Sequence, residues 1–340
     1  MKRILCLALV CLLLGGCAAT GVPDQTKIYE ATFLTLFDTV TVIKGSAESK
    51  EAFAEVSQSI HDELLRYHQH FDIYNDYEGI NNLKTVNDRA GEEPVTVDRC
   101  VIDLLLDCKS YYERTDGRVN VALGSVLKLW HEARDDGFSD PQNASLPDMD
   151  ALREAALHVS LDAIVIDEAA STVYITDPDV RLDVGAVAKG WAVQRAAEHA
   201  PAGLMISVGG NVCATGPKDE NGTPWVVGVQ NPDGDDYLHT IYISGGSVVT
   251  SGDYQRYYVV DGVRYHHIID PDTLYPGTYW RSVTIVCDDS GLADALSTAL
   301  FLLPLEEGRQ LLDQCGAEAM WVDAEGIQHY SAGFSALIRT

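Results

Sequence analysis

Residues 182–191 read Leu-Asp-Val-Gly-Ala-Val-Ala-Lys-Gly-Trp, a run that suits a strand, a glycine turn and an alanine-rich helix. Val180 to Val184 supplies the apolar strand, Gly185 the turn, and Lys189 falls in the first turns of the helix. The glycine lets the backbone approach a ligand, the helix N-terminus offers unpaired N–H groups, and Lys189 adds a positive charge. The element therefore suits a phosphate. Taken alone, it is equally an ordinary strand-to-helix turn with a solvated lysine.

The rest of the chain bounds what this element serves. With 340 residues, 46% of them hydrophobic, the sequence is long enough for one large domain or two small ones. A formal net charge of −27 argues against nucleic acid or an anionic membrane surface as partners. A polyanionic ligand would be repelled at long range, so holding a pyrophosphate calls for a local cationic or metal site.

The first residues read as an address. Met1-Lys2-Arg3 is a positive n-region, and Ile4 to Leu14 is an apolar h-region too short to span a bilayer. Leu14-Gly15-Gly16-Cys17 resembles a bacterial lipobox, with cleavage near Ala18-Ala19 as the alternative. Residues 1–16 are thus expected to be a lipoprotein signal peptide, and residues 17–30 a lipidated Cys17 with its tether. Residues 31–340 are the folded domain, placed at the extracytoplasmic face of a membrane. Cys100, Cys108, Cys213, Cys287 and Cys315 remain, an odd number with no CxxC spacing. Their spacing signals neither a disulfide framework nor a zinc site. Apolar surroundings make Cys100, Cys108, Cys287 and Cys315 small core residues.

Along the domain, Phe37 to Ile43 is rich in β-branched residues and reads as an opening strand. Phe53, Val56, Ile60, Leu64 and His68 recur at helical spacing within residues 47–70. Val101 to Tyr112 and Val121 to Ala133 read as two more helices, the second ending before a polar loop from Arg134 to Pro147. Short strands dominate from Ala163 onward: 164–166, 173–175, 204–208, 225–229, 240–243, 257–260 and 282–286. Helices over 186–199 and 291–314 interrupt them. Elements neither strictly alternating nor segregated predict an α+β fold, one domain with a mixed, largely antiparallel sheet flanked by helices.

Two further segments carry candidate chemistry. In Ala293-Asp294-Ala295-Leu296-Ser297-Thr298-Ala299, Asp294 and Thr298 are one helical turn apart on the same side. A carboxylate and a hydroxyl are hard oxygen donors suited to Mg²⁺. Asp294 equally suits the start of a helix capped near Ser290. In Tyr265-His266-His267-Ile268-Ile269-Asp270-Pro271, adjacent histidines on a strand face opposite ways, so at most one serves a site.

Together with the 182–191 element, and in this order, these segments resemble the ApbE family of FAD:protein FMN transferases. Ile206-Ser207-Val208-Gly209-Gly210-Asn211 and the run from Ser251 to Tyr258 are similar to further family segments. The resemblance covers about residues 31–330. It implies a metal held by Asp294, Thr298 and the backbone carbonyl of Ala186. It places His267 and Ile268 beside the flavin nucleotide, with His267 as candidate catalytic base ahead of Asp253 and Asp270. FAD contacts are implied at Phe37, Tyr74, Val119, Asn120, Asp183, Lys189 and Ile268. Two segments depart from the family: Phe37-Asp38-Thr39 stands where many members read Met-Gly-Thr, and Asn120 stands where many carry an aspartate.

The implied activity is Mg²⁺-dependent transfer of FMN from FAD, through a phosphoester, to a threonine or serine of an exported acceptor protein. AMP is released. The rival readings are a metal-dependent FAD pyrophosphatase and a non-catalytic flavin-binding lipoprotein.

Overall fold

The computed structural model describes residues 27–339; the signal, lipidation and cleavage positions, Cys17 included, lie outside them. The elements in chain order are β1 (Ile28–Phe33), β2 (Thr41–Ser46), α1 (Lys50–Phe71), α2 (Leu83–Asp88), β3 (Val95–Thr96), α3 (Arg99–Arg114), α4 (Gly124–Ser139) and α5 (Met149–Ala155). There follow β4 (Ile164–Asp167), β5 (Thr172–Ile175), α6 (Ala188–His199), β6 (Leu204–Val208), β7 (Asn211–Ala214), β8 (Trp225–Gln230), β9 (Tyr237–Ile243) and β10 (Gly246–Gly252). The chain closes with β11 (Tyr257–Val260), β12 (Val263–His266), β13 (Ser282–Cys287), α7 (Ser290–Phe301), α8 (Leu305–Cys315), β14 (Glu318–Val322) and β15 (Gln328–Tyr330).

Eight strands form one sheet in the order β1-β2-β6-β7-β10-β13-β14-β15, every ladder antiparallel. The α+β class holds, and the one parallel pairing among the described residues is an isolated bridge between Leu123 and Arg181. Alternate residues of each strand divide between two cores. Ile43, Ile206, Val208, Val249, Ile285 and Ala319 face the helices. Ala214, Val248, Met320 and Val322 face the β8–β9 ribbon, which covers the back of the sheet with Val227, Val229 and Ile241. A third cluster of Val126, Trp130, Leu152, Tyr258 and Ile269 joins α4 and α5 to the β11–β12 ribbon. No helix among the described residues is long and apolar enough to cross a membrane.

Four expectations need correction. The expected opening strand at Phe37 to Ile43 begins only at Thr41. Phe37 and Asp38 instead form a tight turn with φ of 52° and 54°, which no ladder accommodates. Residues 180–184 are extended but make no ladder. The Asn87 amide takes a strand partner's place, accepting from Leu182 N–H at 2.7 Å and donating to its carbonyl at 2.9 Å. The expected helix over 291–314 is two, because Pro304 cannot continue α7 and instead opens α8. Cys315 is only partly buried, at the end of α8, whereas Cys100, Cys108, Cys213 and Cys287 are buried free thiols.

Candidate functional site

α7 is buried on nearly every side, and its small residues let α6 lie directly against it. Its N-cap is Asp289, which accepts from Leu292 N–H at 2.8 Å. Asp294 is therefore not the cap of its own helix. It caps the neighbour, since Oδ2 accepts from Gly190 N–H of α6 at 2.8 Å, so that one buried carboxylate meets the positive end of a helix. No side chain caps α6 otherwise. Lys189 Nζ stands 3.8 Å from the same oxygen and 3.3 Å from the Gly185 carbonyl. Burial pushes the Asp294 pKa up, opposed by Lys189 and the Gly190 N–H.

Gly190 is glycine because a Cβ there would overlap the Ser290 carbonyl and stand 2.5 Å from Asp294 Cβ. Gly190→Ala is expected to destabilise the protein by about 1–3 kcal/mol through overpacking. It also pushes Asp294 off its hydrogen bond. Urea denaturation measures the first effect, and an unchanged midpoint would show that the two helices have slack.

A chain of contacts runs outward from this carboxylate. Asp183 Oδ1 accepts from Gly185 N–H at 2.8 Å, and Oδ2 lies 3.9 Å from His131 Nε2. His131 Nδ1 meets the Tyr74 hydroxyl at 2.9 Å. Tyr74 is itself set by Asp72, whose Oδ1 accepts from Tyr74 N–H at 2.7 Å and whose Oδ2 accepts from Tyr77 hydroxyl at 2.8 Å. Tyr77 hydroxyl is 3.3 Å from His68 Nε2, and His68 Nδ1 accepts from Phe37 N–H at 3.3 Å. The Phe37 and Tyr74 loops are thus fastened to one another and, through Asp183, to the α6 turn. Asp38 there is left-handed, with φ of 54°. A short polar side chain tolerates that conformation.

His267 follows directly on β12 and shares one hollow with His131, Trp130 and Arg134. Its Nδ1 lies 3.2 Å from the Arg256 carbonyl, which also accepts its backbone N–H at 3.1 Å. Burial depresses its pKa to about 3, and the charges of His266, Arg256 and Lys189 add to the effect. His266 packs against Phe301, with Nε2 2.8 Å from the Gly277 carbonyl. Both line the same hollow, but their ring nitrogens take different carbonyl partners.

Three of the expected contact residues have side chains engaged within the protein. Val119 is buried in the core, and Ile268 likewise. The Asn120 amide is spent on the chain: Nδ2 donates to the Val159 carbonyl at 2.8 Å and Oδ1 accepts from Ala122 N–H at 2.9 Å. An aspartate could make only the second of these bonds. The 119–123 loop then holds Asp183 through Asp183 N–H to the Val121 carbonyl, 2.8 Å.

Sequence reasoning missed His131 and Arg134, three apart on α4 and therefore on one face. α4 runs on to Ser139, past the helix end expected at Ala133, so Arg134 lies on the helix and not in the expected loop. Sequence reasoning also left Asn211 without a role. Gly209 (φ 57°) and Gly210 (φ 93°) make the two-residue β6–β7 hairpin. That turn delivers Asn211, 2% exposed, to the helix-facing side of the sheet near Asp294. Its Nδ2 has no hydrogen-bond partner of ordinary geometry among the described residues.

The arrangement fits a hard divalent cation. Asp294 is a buried carboxylate, Thr298 lies half-buried one turn along the same helix, and Ala186 lies partly buried in the turn before α6. All three donors are oxygen. Lys189, Arg134 and Arg256 make the surroundings locally cationic in an acidic chain.

A family model described as ApbE family matches residues 34–321. A FAD:protein FMN transferase of Treponema pallidum is 34% identical, over 97% of this chain and 94% of its own. The crystal structure of an ApbE protein from Thermotoga maritima superposes with a TM-score of 0.81 at 32% identity, covering 92% of this chain and all of that one. A flavin transferase ApbE from Vibrio cholerae shares the fold, with a TM-score of 0.75 at 21% identity over 92% of this chain and 100% of its own.

Proposed function

Because the chain belongs to the ApbE family, we propose that it transfers FMN from FAD to a threonine or serine hydroxyl of an exported acceptor protein, releasing AMP. The observation that carries this reading is the buried Asp294 carboxylate at the N-terminus of α6 with Lys189 beside it. A helix terminus, a cation and hard oxygen donors meeting at one place are what a pyrophosphate requires.

Asp294, Thr298 and the Ala186 carbonyl would hold Mg²⁺, which when bound polarises phosphate oxygens and offsets their charge. Lys189, at the start of α6, binds the phosphate charge. Phe37 and Tyr74, on their mutually fastened loops, contact the flavin nucleotide, and Asp183 holds the turn against them. The acceptor hydroxyl oxygen bonds to the FMN-side phosphorus while the bond to the AMP oxygen breaks. His267 takes the hydroxyl proton, because its Nδ1–H is directed at the Arg256 carbonyl and Nε2 is left as the acceptor.

Incubating the protein with FAD, Mg²⁺ and an exported protein bearing an exposed threonine should give an adduct heavier by one FMN less water. If free FMN forms at full rate and no protein is ever labelled, water is the acceptor and the pyrophosphatase reading replaces this one.

The same reading places the domain outside the cytoplasm on a lipid anchor at Cys17. Cys17→Ser is expected to abolish labelling by a fatty-acid analogue and to release the protein or leave it as precursor. Equal labelling of both forms would refute lipidation at that cysteine.

A further inference from the structure

Away from the flavin cleft, the last turn of α1 meets the first turn of α3. His70, Asp98 and Cys100 there bring one imidazole nitrogen, one carboxylate oxygen and one thiol within 4.8 Å of one another. Asp98 is the N-cap of α3, its Oδ1 accepting from Cys100 N–H at 2.9 Å and pairing with Arg66 at 2.6 Å. That leaves Oδ2, which lies 3.9 Å from His70 Nε2. The imidazole is largely buried, and burial holds it below its ordinary pKa, so it is the neutral form that stands there. No hydrogen bond of ordinary geometry reaches its Nδ1. Oδ2 and Nε2 face one another across the junction of the two helices.

We propose that His70, Asp98 and Cys100 bind a zinc-class divalent cation, separate from the flavin cleft, that ties the end of α1 to the start of α3. The donors are nitrogen, sulfur and oxygen, the mixture zinc takes and magnesium does not. Zinc bond lengths place neighbouring tetrahedral ligands about 3.5 Å apart, so closure from separations of up to 4.8 Å asks for movements of up to about an ångström. Cys100 opens on a cleft of about 520 Å³ that Arg66, Tyr67, Trp191 and Arg195 also line, which gives an ion a path in and solvent a route to the fourth position. The Cys100 thiol, inert when metal-free because burial raises its pKa, would lose its proton to solvent on binding. A bound ion would brace the α1 end from which Asp72 and Tyr74 follow. Cysteine spacing could not signal this site, since one ligand comes from a different helix.

The test uses metal-free full-length protein in excess Mg²⁺, which occupies oxygen-only sites, with Co²⁺ as the probe. One equivalent should give a sulfur-to-cobalt charge-transfer band, be displaced by Zn²⁺, and be retained in Asp294→Asn. The band should vanish in both Cys100→Ser and His70→Gln, and Zn²⁺ should raise the melting temperature of the parent protein alone. His70→Gln leaves every cysteine in place and serves if Cys100→Ser does not fold. Cobalt binding without a thiolate band, or the same band in either variant, overturns the proposal.

Discussion

Asp294→Asn is expected to lower FMN transfer by about 10²-fold or more while leaving the protein folded. Loss of groups that merely orient metal ligands costs about 10–100-fold, and a ligand's own charge should cost no less. The fold survives because the amide oxygen still accepts the Gly190 N–H that Asp294 now caps. Asp294→Ala is the harsher change, since it also leaves that buried N–H without an acceptor, at about 1–3 kcal/mol. Burial raises the Asp294 pKa, so the folded state holds its proton more tightly than the unfolded chain. Stability from this group is therefore greatest at low pH and declines as pH rises through the raised folded-state pKa. In the absence of metal, Asp294→Asn should melt no lower than the parent at neutral pH, because the variant buries no charge. Added Mg²⁺ should raise the melting temperature of the parent and not of the variant. Near-parental turnover in saturating Mg²⁺, or equal stabilisation of both proteins, would reduce Asp294 to a helix cap.

What the sequence disclosed about this site depended on how local each interaction is. Lys189 and Gly190 lie within one decapeptide, and Asp294 and Thr298 within one helical turn, so periodicity sufficed to group them. The contact of Asp294 with α6 crosses 104 positions, and nothing in either segment alone announces it. The Asp261-Gly262 turn, with φ of 49° and 80°, is a two-residue hairpin signal. Read as such, it would have paired Val263–His266 with Tyr257–Val260 and shown that His267 follows directly on a strand. Strands β10 and β14 were missed for other reasons. β14 is an apolar run buried on both faces of the sheet, with no alternation to read, and β10 is short of apolar residues, with only Val248 and Val249. The extended segment at residues 180–184 was misread because its partner is a side chain, Asn87, and a side-chain amide leaves no periodic trace.

His267→Ala is expected to slow flavin transfer by about 10²–10⁴-fold, the usual cost of losing a positioned base, with FAD still bound as judged by quenching of flavin fluorescence. The imidazole is prepared for the role by its surroundings. Its Nδ1–H is held by the Arg256 carbonyl at 3.2 Å, and a pKa near 3 keeps it neutral at any working pH. The same depression makes it a weak base in the empty cleft. Because Arg256 and Lys189 contribute to that depression, a bound pyrophosphate that neutralises them should raise the pKa and strengthen the base only when substrate is present. The free protein gives an independent reading. Below pH ~6.5 the unfolded chain gains a proton that folded His267 refuses until about pH 3. Stability contributed by this group is therefore present above pH ~6.5 and lost as pH falls across that window. His131 and His266 are depressed in the same direction, so acid sensitivity should diminish in His267→Ala without disappearing. Transfer at the parental rate with an unchanged acid slope would remove His267 from the reaction and turn attention to Asp253 and Asp270.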